Sequence, residues 1–141
     1  MNYTTIEQSK HLLELGLDAS SADMFWRNGA RTDYIQCFTP SVIHKFEIDV
    51  DMDIDTPCWS VGRLIELMPS EISTGNESYN KYQIRIRKYN KSTYQIAYGN
   101  NKGLSGSWHD MINTKECDNL IDACIETLAL LLENGYIKKG E

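Results

Sequence analysis

The chain has 141 residues, of which 41% are apolar and 10% aromatic, and its formal net charge is −6. This length leaves room for a single domain over residues 1–141, and the apolar content excludes an intrinsically disordered protein. The negative charge argues against a general nucleic-acid binder, because neutralising phosphates requires an excess of Lys and Arg.

The sequence also bears on the cellular compartment. No apolar run is long enough to cross a bilayer, and the first ten residues lack the apolar core of a signal peptide. We therefore expect a cytoplasmic protein without a membrane partner. Free buried thiols are expected in place of disulfides, because no CxxC pair occurs among Cys37, Cys58, Cys117 and Cys124.

The first elements in chain order predict an N-terminal helical hairpin. Thr5 and Gln8 fit a capping box at the start of one helix, and Gly16 fits its left-handed end. Asp18 can cap a second helix over residues 19–26. Such a hairpin also fits a DNA-binding helix-turn-helix, but acidic side chains outnumber basic ones here, and phosphate would repel them. A plain helical hairpin is the expectation.

Two strands are predicted next. DYIQCF (33–38) has strand composition, and KFEIDVDMDID (45–55) alternates with a period of two, which is the strand signature. The apolar side holds Phe46, Ile48, Val50, Met52 and Ile54, and the acidic side holds Glu47, Asp49, Asp51, Asp53 and Asp55. Pro57 is expected to end the ladder, because it has no N–H to donate.

The acidic side of residues 45–55 raises the question of a metal site. A helical calcium loop that starts at Asp49 would need Gly at its sixth position and Glu at its twelfth, but the sequence has Ile54 and Ser60 there. This excludes the calcium loop. An adventitious divalent site remains a second interpretation of the aspartates, and no metal or cofactor is predicted.

The second half of the chain predicts two helices and a β-hairpin. Ser60 can cap a helix over residues 61–68, and apolar residues at helical spacing predict a long C-terminal helix around 120–132. Between these helices, KYQIRIRKY (81–89) and STYQIAYG (92–99) alternate as the two strands of a hairpin. Residues 70–78 and 100–106 have loop composition.

Together these elements predict an α+β fold. We expect a small antiparallel sheet of three to four strands packed on the long C-terminal helix and the shorter central helix, with the N-terminal helical hairpin. Asp49, Asp51 and Asp53 are predicted to share an exposed sheet face with Arg85 and Arg87, as cross-strand ion pairs. The opposite, apolar side of residues 46–54 would then be core.

The basic hairpin 81–98 is a candidate binding surface. Residues 81–102 carry six basic side chains and no acidic one. Basic strands interleaved with tyrosines are typical of single-stranded nucleic-acid platforms, with Arg85, Arg87, Lys88 and Tyr89 as the candidate residues. Most of the tyrosines nevertheless fall on the apolar side of the hairpin, which indicates core. Nucleic-acid binding is therefore an alternative hypothesis.

A thiol enzyme is a second alternative. Cys58 precedes the predicted central helix, whose N-terminal dipole would lower the pKa of the thiol. His109 beside Asp110 supplies the residue types of a base and an orienting group. No enzyme signature accompanies them, and Cys58 beside Trp59 equally fits a packed small apolar residue. No catalytic residue is therefore predicted.

Three stretches resemble a known group of proteins: TIEQSKHLLELGLDASSADM, PCWSVGRLIELMPSEI and NLIDACIETLALLLENGYI. The group consists of small uncharacterised proteins of gut Bacteroides-type bacteria and of their phages and mobile elements. The resemblance implies a mobile-element or phage origin and transfers no site residue. Our leading hypothesis is a non-enzymatic accessory protein that acts through contacts with a protein partner.

Overall fold

The computed structural model describes residues 2–28, 35–51, 53–73, 81–102, 106–114 and 116–140. Contacts divide the chain into two compact units. Unit 1 comprises Met1–Leu67 with Lys139–Glu141, and unit 2 comprises Met68–Lys138. Each unit has its own antiparallel sheet.

Among the described residues, unit 1 combines three α-helices and one 3-10 helix with a three-stranded sheet. Its elements are α1 (Ile6–Glu14), a 3-10 helix (Ala19–Ser21), β1 (Met24–Asn28), β2 (Ile35–Phe38), α2 (Pro40–Phe46), β3 (Asp55–Cys58) and α3 (Val61–Leu67). The strand order is β2-β1-β3, so β1 is central and pairs with both neighbours. The buried apolar side chains include Leu12, Met24, Phe25, Trp59 and Leu64.

The start of unit 1 confirms the local signals for α1. The Thr5 side chain accepts a hydrogen bond from the Gln8 N–H, and the Gln8 side chain accepts one from the Thr5 N–H. Gly16 adopts a φ of 101°, and the Leu17 N–H donates to the Leu12 carbonyl. This is the left-handed helix end that the Gly-Leu pair predicts.

The predicted second helix over residues 19–26 is wrong. Asp18 caps only a single 3-10 turn, and the chain then extends into β1. Phe25 and Trp26 favour a strand, and β1 gains two ladders as the central strand. Pairing with β2 and β3 therefore overrides the weak local preference for a helix.

The predicted acidic strand over residues 46–54 is also wrong. Thr39 caps α2, with Pro40 in its first turn, and Glu47 ends it in the left-handed region with a φ of 50°. A loop follows and turns at Asp51, whose carbonyl accepts hydrogen bonds from the N–H groups of Ile54 and Asp55. Met52 lies outside the described residues. Phe46, Val50 and Ile54 are exposed, contrary to the expected core face.

Pro57 lies inside a ladder instead of ending one. Pro57 belongs to β3 and stands opposite Phe25 of β1. In the strand order β2-β1-β3, β3 is an edge strand. An edge strand tolerates proline, because the missing N–H can face away from the pairing side. The ladder therefore continues to Cys58.

Unit 2 combines a four-stranded sheet with the longest helix. Its elements are β4 (Glu71–Ser73), β5 (Lys81–Lys88), β6 (Tyr94–Asn100), β7 (His109–Asn113) and α4 (Leu120–Glu133). The strands pair in the order β4-β5-β6-β7. The β5–β6 hairpin and the C-terminal helix are confirmed, whereas β4 and β7 arise in stretches that predicted loops or no element.

The two faces of this sheet differ. Ile96 and Tyr98 are fully buried on one face of β6, and α4 contacts β6 with a buried stripe that includes Cys124, Leu128 and Leu131. The other face carries Arg85 and Arg87, opposite Ala97 and Gln95. We call this second face the polar face of the unit 2 sheet.

The α+β class is confirmed, with two antiparallel sheets in place of one. The predicted pairing of Asp49, Asp51 and Asp53 with Arg85 and Arg87 on one sheet face is wrong. The three aspartates lie in the loop before β3, outside any strand. Arg85 and Arg87 belong to β5 of the other sheet.

Candidate functional site

The loop before β3 is anchored by an ion pair between Arg27, which is partly buried, and Asp55, whose side chain is fully buried. Arg27 Nε donates to Asp55 Oδ1 over 2.7 Å, and Arg27 Nη2 donates to Oδ2 over 2.8 Å. Nη2 also donates to the Asp49 carbonyl, and the Asp51 N–H donates to Asp55 Oδ2 over 2.7 Å. One arginine and one carboxylate thus fix both ends of the loop 49–55.

Aromatic rings and hydrogen bonds keep this pair charged despite its burial. The Arg27 guanidinium lies 5.0 Å from the Phe25 ring centroid and 5.2 Å from that of Phe38. Burial acts to raise the pKa of Asp55, but the hydrogen bonds from Arg27 and the Asp51 N–H outweigh it and lower that pKa. Hydrogen bonding to Asp55 raises the pKa of Arg27.

Beside this loop, unit 1 contains a cleft of about 610 Å³. Its walls are the segment around the 3-10 helix, α2 with the residues after it, and the sheet face that carries Phe25 and Pro57. The lining residues are Asp18, Ala19, Ser20, Ala22, Asp23, Met24, Phe25, Ile43, Ile48, Asp49, Val50 and Pro57. We call this site the unit 1 cleft.

The lining of the unit 1 cleft is mostly apolar and also acidic. Three aspartates line it, Asp18, Asp23 and Asp49, and among the described residues no Lys or Arg does. Unit 1 contains twelve acidic and six basic residues, whereas unit 2 contains eight of each. The excess of six acidic residues in unit 1 therefore accounts for the whole net charge of −6. The field around the cleft therefore favours a cationic ligand.

Three apolar side chains in this part of the chain are exposed. Val50 lines the cleft and is 53% exposed, and Ile54 in the same loop is also 53% exposed but does not line it. Phe46 at the end of α2 is 64% exposed. Val50 thus carries the apolar lining of the cleft to the protein surface, and exposed apolar surface of this kind is typical of sites that bind a partner.

The structure separates the four candidate residues of the basic hairpin. Arg85, Arg87 and Tyr89 lie on the polar face, where the Tyr89 hydroxyl donates to Gln95 Oε1. Lys88 stands opposite Tyr94 on the other face, with its Nζ 5.4 Å from the Tyr94 ring centroid. Strand alternation accounts for this, because successive side chains point to opposite faces.

Arg87 is neutralised by Asp110 of β7. Its Nη1 and Nη2 donate to the two carboxylate oxygens over 2.8 and 2.7 Å, and Trp108 Nε1 donates to Asp110 Oδ1 over 2.6 Å. The hydrogen bond from Arg87 is the main cause that lowers the pKa of Asp110 to about 2. Arg87 is therefore engaged inside the protein.

Arg85 stacks on Trp108. The guanidinium carbon lies 3.7 Å from the ring centroid. Below the ring, a Cβ at Gly99 would lie 2.8 and 2.9 Å from two Trp108 carbons, so only glycine lets the indole lie against β6. The indole therefore lies between Gly99 and Arg85.

Cys58 does not have the surroundings of a reactive thiol. Its side chain is 0% exposed, and its Sγ donates to the Thr4 carbonyl. Burial raises its pKa, contrary to the lowering predicted from the following helix. Cys58 belongs to unit 1 and His109 to unit 2. Among the described residues of unit 1, the Cys58 thiol has no hydrogen bond to a side chain that could act as its base.

Cys37 and Cys58 are neighbouring free thiols, with sulfur atoms 4.0 Å apart. They lie on β2 and β3, which flank β1. Two strand spacings place their Cα atoms roughly 9–10 Å apart, beyond the reach of a disulfide. The pair packs as thiols, as the cysteine usage predicts.

The described part of the chain has neither a membrane-spanning helix nor a cluster of metal ligands. Among those residues, no helix is long and apolar enough to span a membrane, and no cluster of three His, Cys, Asp or Glu side chains could hold a metal ion. No protein-family model, curated protein or solved structure matches the sequence or the fold.

Sequence reasoning missed the unit 1 cleft and the role of Trp108. The cleft depends on β1 and on α2, both of which the local patterns misassign. The Thr39-Pro40 pair was a usable signal for α2, because a capping residue before Pro is a helix start. No local sequence signal indicated the position of Trp108, because that position depends on the space left by Gly99 of β6.

Proposed function

We propose that this protein is a non-enzymatic accessory protein of a mobile element or phage, and that it acts by binding another protein through the unit 1 cleft. The observation that carries the proposal is the apolar cleft of about 610 Å³ lined by three aspartates and continued by exposed Val50. The resemblance to proteins of Bacteroides-type bacteria and their mobile elements motivates the assignment of origin.

The chemistry of the cleft defines the partner segment. Apolar side chains of the partner would fill the space between Phe25, Ile43 and Ile48, where burial contributes about 25 cal/mol per Å². Lys or Arg beside them would face Asp18 and Asp49, whereas both carboxylate oxygens of Asp23 accept hydrogen bonds from Ser60. The expected ligand is therefore a protein segment with bulky apolar residues flanked by basic ones.

A protein segment fits better than a small molecule. Val50 lines the cleft and is 53% exposed, so the cleft is open at the protein surface. Small-molecule sites usually enclose most of their ligand, whereas an open cleft leaves room for a protein segment that continues beyond it. Because the acidic groups are at the surface, we expect the association to weaken as salt is added.

Selection from a library of displayed random peptides tests this proposal. Immobilised protein should enrich peptides in which aromatic or aliphatic residues stand next to Lys or Arg. Val50→Asp should abolish the enrichment, because it places a charge in the apolar wall. Its stability should change by less than ~1 kcal/mol, because Val50 is half exposed.

Ile54→Asp is the matched control. Ile54 has the same 53% exposure as Val50, lies in the same loop and does not line the cleft. It should keep the enriched peptides bound. Loss of binding in both variants, or a wild-type selection without a basic and apolar consensus, would contradict the proposal.

A further inference from the structure

We propose that the polar face of the unit 2 sheet binds single-stranded nucleic acid, with the stacked pair of Arg85 and Trp108 as the platform for a base. We call this pair the Arg85 platform. The proposal concerns another site and another class of partner than the unit 1 cleft, and it stands independently of it.

The first step is that Arg85 is oriented while its donors remain unused. Its guanidinium carbon lies over the Trp108 ring, 3.7 Å from the ring centroid. Within the described ranges, it makes no hydrogen bond or ion pair with the protein. An arginine has five N–H donors in a planar fork. Arg85 therefore offers one free planar surface and a full set of donors.

The second step is that Trp108 is held rigidly. Its indole N–H donates to Asp110, and Asp110 is clamped by both terminal nitrogens of Arg87. Gly99 leaves the space that the ring occupies. Arg87, Asp110 and Gly99 thus act as positioning residues for the Arg85 platform. A preorganised site loses less conformational freedom when a ligand binds.

The third step is that aromatic and basic groups flank the platform. Tyr89 is 52% exposed on the same face and is fixed through its hydroxyl to Gln95. Lys81 is on this face of β5 as well, four residues before Arg85. Single-stranded nucleic acids present planar bases and phosphates in alternation, and bases stack on both aromatic rings and guanidinium planes.

An acidic peptide is the competing ligand for a basic face. Its carboxylates would use the edge donors of Arg85 but would leave the planar faces of Arg85 and Tyr89 uncovered. A nucleic acid uses both the planes and the donors.

The charge distribution limits the footprint to a short one. Residues 81–102 carry six basic side chains and no acidic one, although the whole chain has a net charge of −6. Of these six, Lys81, Arg85 and Arg87 lie on the polar face, and Arg87 is paired with Asp110. Phosphates would therefore be attracted mainly at Lys81 and Arg85 and repelled by the net negative charge of the rest of the chain. Binding should be confined to a few nucleotides and fall steeply with salt.

Fluorescence anisotropy of a labelled single strand of about twelve nucleotides tests the proposal, starting at about 50 mM salt. Arg85→Gln should weaken binding about ten-fold, since one stacked base contributes on that order. Arg85→Lys should also weaken it, because it keeps the charge and loses the plane. Lys138→Gln makes the same charge change at another exposed position of unit 2 and should leave affinity within about two-fold.

The result expected is binding of the single strand in preference to the matching duplex and to polyglutamate of similar length. The proposal is overturned if the single strand does not bind at low salt, or if Arg85→Lys binds as well as the wild type. Equal loss in Lys138→Gln would reduce the effect to net charge and would also overturn it. Polyglutamate binding with the same dependence on Arg85 would assign the face to acidic proteins instead.

Discussion

Arg27 and Asp55 in unit 1 and Arg87 and Asp110 in unit 2 form two bidentate ion pairs that differ in what they hold. Arg27 and Asp55 stand directly opposite each other on the adjacent strands β1 and β3. Arg87 and Asp110 lie on β5 and β7, with β6 between them. The first pair fixes a loop, and the second fixes an aromatic ring.

The difference follows from the neighbours of each pair. Asp55 has a fully buried side chain and accepts the Asp51 N–H in addition to Arg27, so the loop depends on it. Asp110 keeps about a fifth of its side chain exposed, and Arg87 reaches it across β6, where Ala97 and Gly99 have little bulk. The same two residue types thus support a cleft in one unit and a stacking platform in the other.

The largest effect is expected for Asp55→Asn. It leaves the partly buried Arg27 without its counter-charge and weakens the hydrogen bonds that the fully buried Asp55 side chain accepts, which should lower the free energy of unfolding by about 3 kcal/mol. Asp53→Asn is the control, because Asp53 is exposed in the same loop and should change stability by less than ~0.5 kcal/mol. Urea unfolding followed by circular dichroism measures both. Similar values for the two variants would show that the loop does not depend on the Arg27 pair.

Gly99→Ala should displace Trp108, whose indole N–H donates to Asp110 of the Arg87–Asp110 pair. The added Cβ would clash with the His109 carbonyl and with two Trp108 carbons, which should cost about 2 kcal/mol and displace the ring. Gly62→Ala is the control, because a Cβ there meets nothing within 4 Å in α3, and alanine should stabilise the helix slightly. Thermal unfolding compares them. A neutral Gly99→Ala would mean that Trp108 does not lie on β6.

Asp110→Asn should lower the free energy of unfolding by about 1–2 kcal/mol at neutral pH, which is less than Asp55→Asn. The effect is smaller because Asp110 is partly exposed and solvent screens its charge. The pKa of Asp110 is lowered from 3.8 to about 2. A lowered pKa stabilises the fold above the ordinary value, and this contribution disappears as the pH falls from about 4 to about 2. Wild type and variant should therefore converge in urea unfolding over that interval. A difference that stays constant with pH would contradict the ion pair as its cause.

Glu47→Gly should give the smallest effect, a gain of roughly 0.5 kcal/mol. Glu47 has a positive φ at the end of α2, a position that favours glycine. Glu47→Ala removes the same charge without relieving the backbone and should bring no gain. Equal stabilisation by both variants in urea unfolding would assign the effect to the negative charge instead.

The elements that the sequence predicts correctly have complete local signals. The Thr5–Gln8 capping box and the left-handed Gly16 define α1, and the wide apolar stripe of the C-terminal helix defines α4. The β5–β6 hairpin follows from alternation around a short turn. Alternation also placed Arg85 and Arg87 on one polar face, and the same rule places Lys88 on the other.

The acidic stretch shows where local reasoning ends. Its nine-residue alternation is a genuine strand pattern, but Thr39-Pro40 starts a helix upstream, and Arg27 binds Asp55 and the Asp49 carbonyl. Arg27 is 28 residues from Asp55 in the sequence. A short stretch read for its local pattern therefore never contains both residues of the ion pair that holds this segment as a loop. Local chemistry by itself determined α1, α4, the hairpin and the α+β class. Tertiary contacts alone decided the loop, the unit 1 cleft and the Arg85 platform, because an ion pair or a stacked ring is stabilised only when distant residues meet.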